Sequence, residues 1–322
     1  MTTRLDSELV HRGLARSRRQ AGELIAAGRV SVDGSLARRS AVQVTAEHDL
    51  VVAVDEADPG FASRAGHKLT GALETLGDAG PLVRGRVCLD AGASTGGFTD
   101  VLLRRGADRV VAVDVGHGQL LPELAADERV DSREGVNVRD LAPGDVDPAP
   151  TLVVADLSFI SLTLVLPALV DVAAPGADLL LMVKPQFEVG RERLGSGGVV
   201  RDPALRATAV VDVARAARAL GLDVLAVLPS VLPGPSGNVE YFLWLRGDGL
   251  TTAAQDGPAN APRGPGDDRF AEIEAAVRAV VVDGAPLAVP AAPARAGDAS
   301  GPAPDPSPPD APPAPEHLDG EA

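Results

Sequence analysis

One stretch near the middle of the chain constrains the fold more than any other. An apolar run, Arg86–Asp90, leads into a glycine-rich segment, Gly92–Phe98, and a helix-forming segment follows as far as Gly106. A second apolar run comes next and closes on Asp114. A strand, a tight turn with few bulky side chains, a helix and a second strand begin a Rossmann-like domain, in which a ligand approaches the backbone at the carboxyl end of the strand. The pattern therefore predicts an α/β fold with a parallel sheet.

Later segments predict the rest of this sheet. The apolar runs Thr151–Asp156 and Asp178–Lys184 are typical of buried strands, and each ends on a charged side chain. In an open parallel sheet, the carboxyl ends of such strands meet at the ligand crevice. The segments Gly221–Pro229 and Asn238–Leu245 predict two antiparallel closing strands, the second of which carries Glu240.

The glycine-rich segment favours one nucleotide-type cofactor over another. NAD-binding loops have the spacing G-x-G-x-x-G, whereas this chain has G-x-x-x-G-G and a carboxylate, Asp90, just before it. That carboxylate would repel pyrophosphate but suits the cationic amino-acid end of S-adenosylmethionine; its alternative role is a bond to the loop backbone. Asp114 is placed to accept from ribose hydroxyls, and Asn137 either contacts adenine or is a plain turn residue. The predicted cofactor-binding residues are Asp90, Gly92, Ser94, Thr95, Gly96, Gly97, Asp114, Asn137, Asp156 and Phe159.

The scarcity of lysine gives a prediction at the level of single residues. The chain contains 28 arginines and only two lysines, Lys68 and Lys184. Lysine can lose its proton when burial or a neighbouring cation lowers its pKa, whereas a guanidinium effectively cannot. Lys184 ends a predicted strand at the crevice, and a helix before the sheet could bring Lys68 to the same place. We therefore predict a functional lysine pair, with chance survival of the two lysines as the alternative.

The N-terminal forty residues differ in charge from the rest of the chain. They hold eight arginines against four acidic residues, a net charge of +4. Ser17 and Gln20 predict the capped start of a helix that ends at Gly28. Arginines in its first turn oppose the helix dipole unless an anion such as phosphate lies there, and solvated arginines are the alternative. The candidate anion contacts of this region, which become RNA contacts if the resemblance described next holds, are Arg4, Arg16, Arg18 and Arg19.

A longer pattern surrounds these arginines. Residues 4–14 predict a first helix, and short alternating strands follow the second helix, beginning at Arg29–Val32. Residues 4 to 50 read L-x-x-x-L-V-x-R-G-L-A-x-S-R-x-x-A-x-x-L-I-x-x-G-x-V-x-V-x-G and beyond. This pattern resembles the RNA-binding domain, or αL motif, first seen in ribosomal protein four of the small subunit. The resemblance implies binding of structured RNA through the arginine-bearing helical face.

Composition excludes several other classes of protein. A formal charge of −15 argues against a uniformly basic nucleic-acid clamp, and 2% aromatic residues argue against a stacking surface. The single cysteine, Cys88, lies in an apolar run, which predicts a buried inert thiol with no disulfide and no metal site. No segment resembles a signal peptide, and no apolar run approaches the about 20 residues of a bilayer span. We expect a cytoplasmic monomer without membrane contact.

Five separated motifs point to one family. In order along the chain they are S-R-x-G-x-K-L, D-x-G-A-S-T-G-G-F-T-D, A-D-L-S-F-I-S-L, K-P-Q-F-E and N-x-E-Y-F. Together with the N-terminal pattern they cover about residues 4–246 and resemble the TlyA family, a branch of the FtsJ-like ribosomal RNA ribose methyltransferases. Some members of that family have been called hemolysins. One departure is Ala65, where the first motif usually has a second glycine.

The resemblance implies a catalytic tetrad and a substrate. The tetrad falls on Lys68, Asp156, Lys184 and Glu240. The implied reaction moves a methyl group from S-adenosylmethionine to the ribose 2′-hydroxyl of cytidine in 16S and/or 23S ribosomal RNA within ribosomal subunits. One subgroup of the family acts on 23S only, and the arginine-rich N-terminus resembles the subgroup that acts on both. Lys184 would act as the base or would stabilise the developing alkoxide. A membrane-lytic hemolysin, a non-catalytic ribosome-binding factor and a small-molecule methyltransferase are the competing readings.

The expected domain order follows from these patterns. An RNA-binding domain covers residues 1–60, a linker and leading helix 61–85, and the methyltransferase domain 86–247. A C-terminal extension over 248–285 contains a predicted helix, Asp268–Val282, with apolar residues at three- and four-residue spacing. The Pro/Ala-rich acidic tail, 286–322, is predicted to be disordered because it cannot bury enough apolar surface to offset its ordering entropy.

Overall fold

The computed structural model describes residues 2–15, 17–53, 59–195, 197–247, 268–283 and 287–288. The chain divides into one compact unit, Met1–Val289, and a terminal stretch, Pro290–Ala322, that lies outside the described residues. The tail predicted to be disordered, 286–322, lies outside the described residues except at 287–288.

The N-terminal part is a small α+β domain. Its helices are α1 (Leu5–His11) and α2 (Arg18–Ala26). Its short strands are β1 (Thr3–Arg4), β2 (Val30–Val32), β3 (Ser35–Leu36), β4 (Gln43–Val44) and β5 (Leu50–Val52). Strand β1 pairs with β4, and β2 pairs with both β3 and β5, all antiparallel. Leu5, Leu9, Ala21, Ile25 and Val30 form a core of their own between helices and strands.

The ends of the two helices follow from their capping residues. The Ser17 hydroxyl accepts from the backbone N–H of Gln20 at 3.2 Å, so the predicted start of α2 is confirmed. Helix α1 is shorter than the predicted 4–14 because Gly13, with φ of 69°, turns the chain. The N–H groups of Gly13 and Leu14 bond back to the carbonyls of Val10 and Leu9, which is a Schellman cap.

The rest of the unit is built on one eight-stranded sheet. Its strands are β6 (Val87–Ala91), β7 (Arg109–Asp114), β8 (Val130–Glu134), β9 (Leu152–Ala155), β10 (Asp178–Val183), β11 (Leu222–Pro229), β12 (Tyr241–Gly247) and β13 (Leu287–Ala288). Their order is β13-β11-β12-β10-β9-β6-β7-β8. The five strands from β10 to β8 are parallel, whereas β12 runs antiparallel to both β10 and β11. The predicted α/β class and the antiparallel closing strands are therefore confirmed.

Helices cover both faces of the sheet. They are α3 (Arg64–Leu76), α4 (Gly97–Arg104), α5 (Pro122–Ala125), α6 (Leu162–Val172), α7 (Pro185–Glu188), α8 (Pro203–Ala219) and α9 (Asp268–Asp283). The central strand β10 shows why there are two cores: Leu179, Leu181 and Val183 pack towards α6, α8 and α9, whereas Leu180 and Met182 pack towards α3 and α4. Every residue of β10 is buried, as expected for a strand covered on both faces.

The C-terminal extension joins this architecture. The predicted helix appears as α9, and its apolar residues Ile273, Val277 and Val280 are buried in the core against α6 and α8. Beyond it, the structure differs from the tail predicted to begin at residue 286. Leu287–Ala288 forms β13 and pairs with Ala226 and Val227 of β11. An edge strand offers unpaired backbone groups to any extended segment, which composition alone does not predict.

A buried carboxylate connects three strands at the end of the sheet that lies opposite the predicted crevice. Asp178, at the start of β10, is 1% exposed. Its carboxylate accepts from Arg86 Nη1 at 2.7 Å, from Trp244 Nε1 at 2.9 Å and from Arg246 Nε at 2.7 Å. The three donors come from the residue before β6 and from two positions on β12. Asp178 therefore fixes how these strands meet.

Removing the Asp178 carboxylate should destabilise the fold. In Asp178→Ala the three donors lose a shared acceptor, so we expect the free energy of unfolding to fall by roughly 3 kcal/mol, measured by urea denaturation. Asp212→Ala is the control, because Asp212 is half-exposed in its pair with Arg215 and its loss should cost less than about 1 kcal/mol. Equal losses in the two variants would contradict this account.

Candidate active site

A cleft of about 890 Å³ opens at the carboxyl ends of the parallel strands. Its lining includes residues from the start of α3, from the glycine-rich loop and from α2. The lining includes Lys68, Asp156 and Lys184 of the predicted tetrad, and Gly92, Ser94 and Thr95 of the predicted cofactor set. The crevice predicted from the strand ends is thus a cavity bordered by both predicted sets.

The structure brings the four tetrad residues together as two ion pairs. Lys68 Nζ lies 2.5 Å from Glu240 Oε2, and both side chains are almost fully buried. Lys184 Nζ lies 2.7 Å from Asp156 Oδ1, and this pair is nearly as well buried. Gln186 Nε2 adds a contact of 3.4 Å to the second oxygen of Glu240. Each lysine therefore has one carboxylate of its own.

Local backbone structure explains how Lys68 reaches the cleft. Helix α3 begins at Arg64, with the Ser63 hydroxyl accepting from the N–H of Ala65 at 3.3 Å. Ala65 lies in the first helical turn and has no positive φ, so its replacement of the family's glycine leaves the backbone ordinary. A Cβ at Gly97 would lie only 2.9 Å from the Ala65 Cβ and would collide with Ser63. The absence of a side chain at Gly97 lets α3 pack against the start of α4.

The glycine-rich loop is held in a shape that leaves its backbone accessible. Gly92 has a φ of 89°, and a Cβ there would lie 3.1 Å from the carbonyl oxygen of Asp156. The N–H of Ser94 donates to Asp114 Oδ2 at 2.9 Å, and the N–H of Gly116 donates to Asp114 Oδ1 at 2.7 Å. Asp114 therefore fastens the loop to the end of β7 and keeps further lone pairs for a ligand.

Asp90 has an unused acceptor beneath the loop. Its side chain is fully buried, and Thr99 Oγ1 donates to its Oδ2 at 2.7 Å. Its other oxygen, Oδ1, has no hydrogen-bond partner among the described residues. Burial raises the pKa of Asp90 to about 7, the Thr99 bond opposes the shift, and the carboxylates of Asp156 and Asp114 add to it. A buried orphan acceptor at this point fits a cationic ligand group.

Three predicted positions lie away from the tetrad. The side chain of Asn137 is exposed and accepts from the N–H of Arg139 at 3.1 Å, which is the turn role that the sequence left open. Phe159 is 91% exposed with a φ of 65°, and its ring centroid lies 5.2 Å from that of Phe187. Gly96 is the N-cap of α4 in a left-handed conformation.

Cys88, as predicted, is buried, and burial raises its pKa to about 12.

Two of the four predicted RNA-contact arginines, Arg4 and Arg18, contact one carboxylate. Arg4 Nε and Nη2 bond the two oxygens of Asp6 at 3.0 and 2.9 Å, and Arg18 Nη2 bonds Oδ2 at 3.2 Å. The Arg4 hydrogen bonds and Arg18 hold the pKa of Asp6 at about 2 despite its burial. Asp6 thereby arranges two arginines whose side chains remain substantially exposed. Arg16 lies outside the described residues, as does the side chain of Arg19.

Sequence reasoning missed two polar residues of the cleft region. Ser158 lines the cleft and lies 2.9 Å from Lys184 Nζ. Glu134, at the end of β8, accepts from the N–H groups of Gly118 at 2.8 Å and Gln119 at 3.1 Å, and these bonds lower its pKa. The strand-end rule that identified Asp114 on β7 applies equally to Glu134 on the neighbouring strand.

Comparison with protein families assigns the class. The profile of the FtsJ-like methyltransferases matches residues 61–247, and that of the S4 domain matches residues 3–51. These spans correspond to the sheet with its cleft and to the N-terminal α+β domain. The protein is therefore a Rossmann-like methyltransferase that carries an S4 RNA-binding domain at its N-terminus.

Relatives narrow this class further. The chain belongs to the FtsJ-like methyltransferase family, and it is 57% identical over 243 residues to the 16S/23S rRNA (cytidine-2'-O)-methyltransferase TlyA of Mycobacterium tuberculosis. That match covers 76% of this chain and 89% of the relative. Hemolysin A of Brachyspira hyodysenteriae is 36% identical, over 74% of this chain and 98% of its own length. The resemblance predicted from the motifs is confirmed.

A solved structure supports the same architecture. A protein from Streptococcus thermophilus that also carries a hemolysin name superposes with a TM-score of 0.64 at 33% identity. The match covers 88% of this chain and 96% of that one. Among the residues that the structure describes, no helix has the length and apolar character needed to cross a bilayer.

Asp90→Asn should change the pH dependence of stability. Because the pKa of Asp90 is raised to about 7, the folded state keeps a proton that the unfolded chain releases from about pH 4 upward. The free energy of unfolding therefore falls between about pH 4 and pH 7, and asparagine, which does not ionise, removes that loss. We expect the melting temperature of the variant, relative to the wild type, to be higher at pH 8 than at pH 5.

Asp127→Asn is the matched control, because the pKa of Asp127 is shifted in the opposite direction to that of Asp90. The exposed Asp127 has a pKa lowered by its hydrogen bonds from Arg129, so Asp127→Asn should lose a little stability equally at pH 5 and pH 8. If the Asp90→Asn difference were the same at both pH values, the raised pKa of Asp90 would be refuted.

Proposed function

We propose that this protein transfers the methyl group of S-adenosylmethionine to the ribose 2′-hydroxyl of cytidine in 16S and 23S ribosomal RNA. The observation that carries the proposal is the pair of buried lysines, each beside its own carboxylate, at the edge of a cleft bordered by the glycine-rich loop. The name of the 57% identical relative supports the choice of substrate.

The residues around the loop suit S-adenosylmethionine. Gly92, Ser94 and Thr95 would lie against it, Asp114 would accept from its ribose, and the unused oxygen of Asp90 would favour its ammonium group. When bound, the cofactor supplies an activated methyl group on a sulfonium. The chain's own task is to orient the acceptor hydroxyl towards that group and to handle its proton.

Lys184 is the residue we assign to the proton of the substrate. A ribose hydroxyl is a weak nucleophile at neutral pH, so its attack needs a base or a cation that stabilises the developing alkoxide. Lys184 lies at the end of β10 and borders the cleft, with Asp156 fixing its position. Lys68 adds a second cation near the reacting centre, and Glu240 holds it there.

The N-terminal domain supports RNA as the partner. Arg4 and Arg18 remain exposed beside Asp6, and Ser17 and Gln20 of the same domain line the cleft. Ribosomal subunits are the proposed target, and we propose that the protein acts as a monomer. A small-molecule methyltransferase would not need this domain, and a non-catalytic binding factor would not need the buried lysine–carboxylate pairs.

Lys184→Ala should abolish methyl transfer while binding survives. Loss of the group that receives the proton should lower the rate by at least about 100-fold, measured as incorporation of labelled methyl into ribosomal subunits and mapped by primer extension. Calorimetry with S-adenosylmethionine and pelleting with subunits should give nearly wild-type binding. Full activity in this variant would contradict the assignment.

Lys184→Arg separates the two roles of the lysine. A guanidinium keeps the positive charge but effectively cannot give up a proton. We expect the arginine variant to be as inactive as the alanine variant if Lys184 is the base. Substantial residual activity would mean that Lys184 acts through its charge alone.

Arg18→Ala should weaken subunit binding in a salt-dependent way. Arg18 is 61% exposed, and Asp6 keeps both hydrogen bonds from Arg4 in its absence. Loss of one phosphate contact should reduce the slope of log K against log salt by about 1. Arg215→Ala, on the exposed side of α8, should leave the slope unchanged. The same slope in the Arg18 variant and the wild type would show that Arg18 makes no phosphate contact with RNA.

A further inference from the structure

The surroundings of Lys184 Nζ limit where its lone pair can point. Three oxygens surround the nitrogen: Asp156 Oδ1 at 2.7 Å, Ser158 Oγ at 2.9 Å and the backbone oxygen of Asp156 at 3.5 Å. Asp156 Oδ1 is an ion-pair contact without hydrogen-bond geometry, and the backbone oxygen lies at the outer limit of a hydrogen bond. Ser158 Oγ is therefore the closest hydrogen-bond partner of the amine among the described residues.

Only one of the three neighbours can act as a donor. The carboxylate and the backbone carbonyl of Asp156 accept hydrogen bonds and cannot give one. The hydroxyl of Ser158 can accept from an ammonium and can equally donate to a neutral amine. A neutral Lys184 could therefore accept a hydrogen bond from Ser158 and from neither of the other two neighbours.

Ser158 and Lys184 both line the cleft, and Ser158 is the more exposed of the two. The side chain of Ser158 is exposed, whereas Lys184 is only 8% exposed. It stands in the turn after β9, which is fixed by the bond from the N–H of Asp156 to the carbonyl of Ala91 at 3.1 Å and by the positive φ of Phe159. Ser158 Oγ is thus open to an incoming hydroxyl while it lies within hydrogen-bond distance of the lysine.

We propose that Ser158 relays the proton from the ribose 2′-hydroxyl to Lys184. The proposal rests on the methyl transfer proposed above and adds a residue to it. As the O2′–carbon bond forms and the sulfur–methyl bond breaks, the ribose O–H bond breaks and its proton goes to Ser158 Oγ. Ser158 gives its own proton to Lys184 Nζ. The sulfonium charge that is lost at sulfur reappears on the lysine ammonium, so charge and atoms balance.

A purely structural role makes a different prediction. If Ser158 only accepted from a permanent ammonium, it would hold Lys184 in place without moving a proton, and the two Asp156 contacts would still position the lysine. The rate of methyl transfer would then change little on loss of the Ser158 hydroxyl, and one proton rather than two would be transferred in that step. The relay requires two protons in flight and an intact hydroxyl.

The test uses full-length Ser158→Ala and Ser158→Thr with ribosomal subunits as substrate. Threonine keeps the hydroxyl, and Ser132→Ala, on an exposed position of β8, is the control for an unrelated hydroxyl. We expect Ser158→Ala to lower kcat about 100-fold with KM for subunits and the S-adenosylmethionine Kd nearly unchanged. Ser158→Thr and Ser132→Ala should stay within a few-fold of the wild type.

Rates in mixtures of light and heavy water give the second readout. The wild type should show the curved dependence of two protons in flight, and Ser158→Ala the linear dependence of one. Because Ser158 is exposed, thermal melting of the variants should match the wild type.

Three results would overturn the relay. One is wild-type kcat in Ser158→Ala together with an inactive Lys184→Ala, which would leave the proposed function standing without the serine. Another is activity lost in Ser158→Ala but regained at saturating S-adenosylmethionine, which would assign Ser158 to cofactor binding. The third is an active Lys184→Arg, because arginine cannot receive the proton. Methylation of a position other than a ribose hydroxyl by the wild type would instead overturn the proposed function itself.

Discussion

The buried pair between Lys68 and Glu240 is the interaction on which the arrangement of the cleft depends. Lys68 belongs to α3, which precedes the sheet in sequence, whereas Glu240 directly precedes the closing strand β12. Each side chain alone would be an uncompensated charge in the interior, at a cost of about 3 to 5 kcal/mol. The pair therefore stabilises one position of α3 on the sheet. That position also sets Ser63 and Ala65 against Gly97, so that one wall of the cleft and the start of the cofactor-loop helix are fixed together.

Strand periodicity and strand ends accounted for most of the fold and for half of the site. Apolar runs closing on charged residues predicted the parallel strands and located Asp114, Asp156 and Lys184, because every parallel strand delivers its last residue to the same edge. The pairing of each lysine with its carboxylate could not be predicted from the sequence. Which carboxylate serves which lysine depends on how α3 docks, and the three donors on Asp178 come from segments some 60 to 90 residues away in the chain. Asn137 was ambiguous because a short turn and an adenine contact need the same side chain.

Arginine is used in this protein as a structural clamp as well as a cation. Arg12 donates to the backbone carbonyls of Thr45 and His48, and Arg104 donates to those of Pro59 and Gly60. A guanidinium suits this use because its planar fork can reach two acceptors at once. The number of arginines is consequently a poor guide to the RNA surface. Exposure and the lack of competing carbonyl contacts are better guides, and the pair held by Asp6 meets both criteria.

The pairing of each tetrad lysine with one carboxylate has a consequence for recognition. Two carboxylates balance the two lysines, so the tetrad has no net positive charge that would attract a phosphate group. On the proposed function, the exposed arginines of the N-terminal domain would attract the polyanionic backbone of RNA. Electrostatic affinity and chemistry would then belong to different parts of the chain. A neutral hydroxyl reaches the lysine without a phosphate competing for the same position.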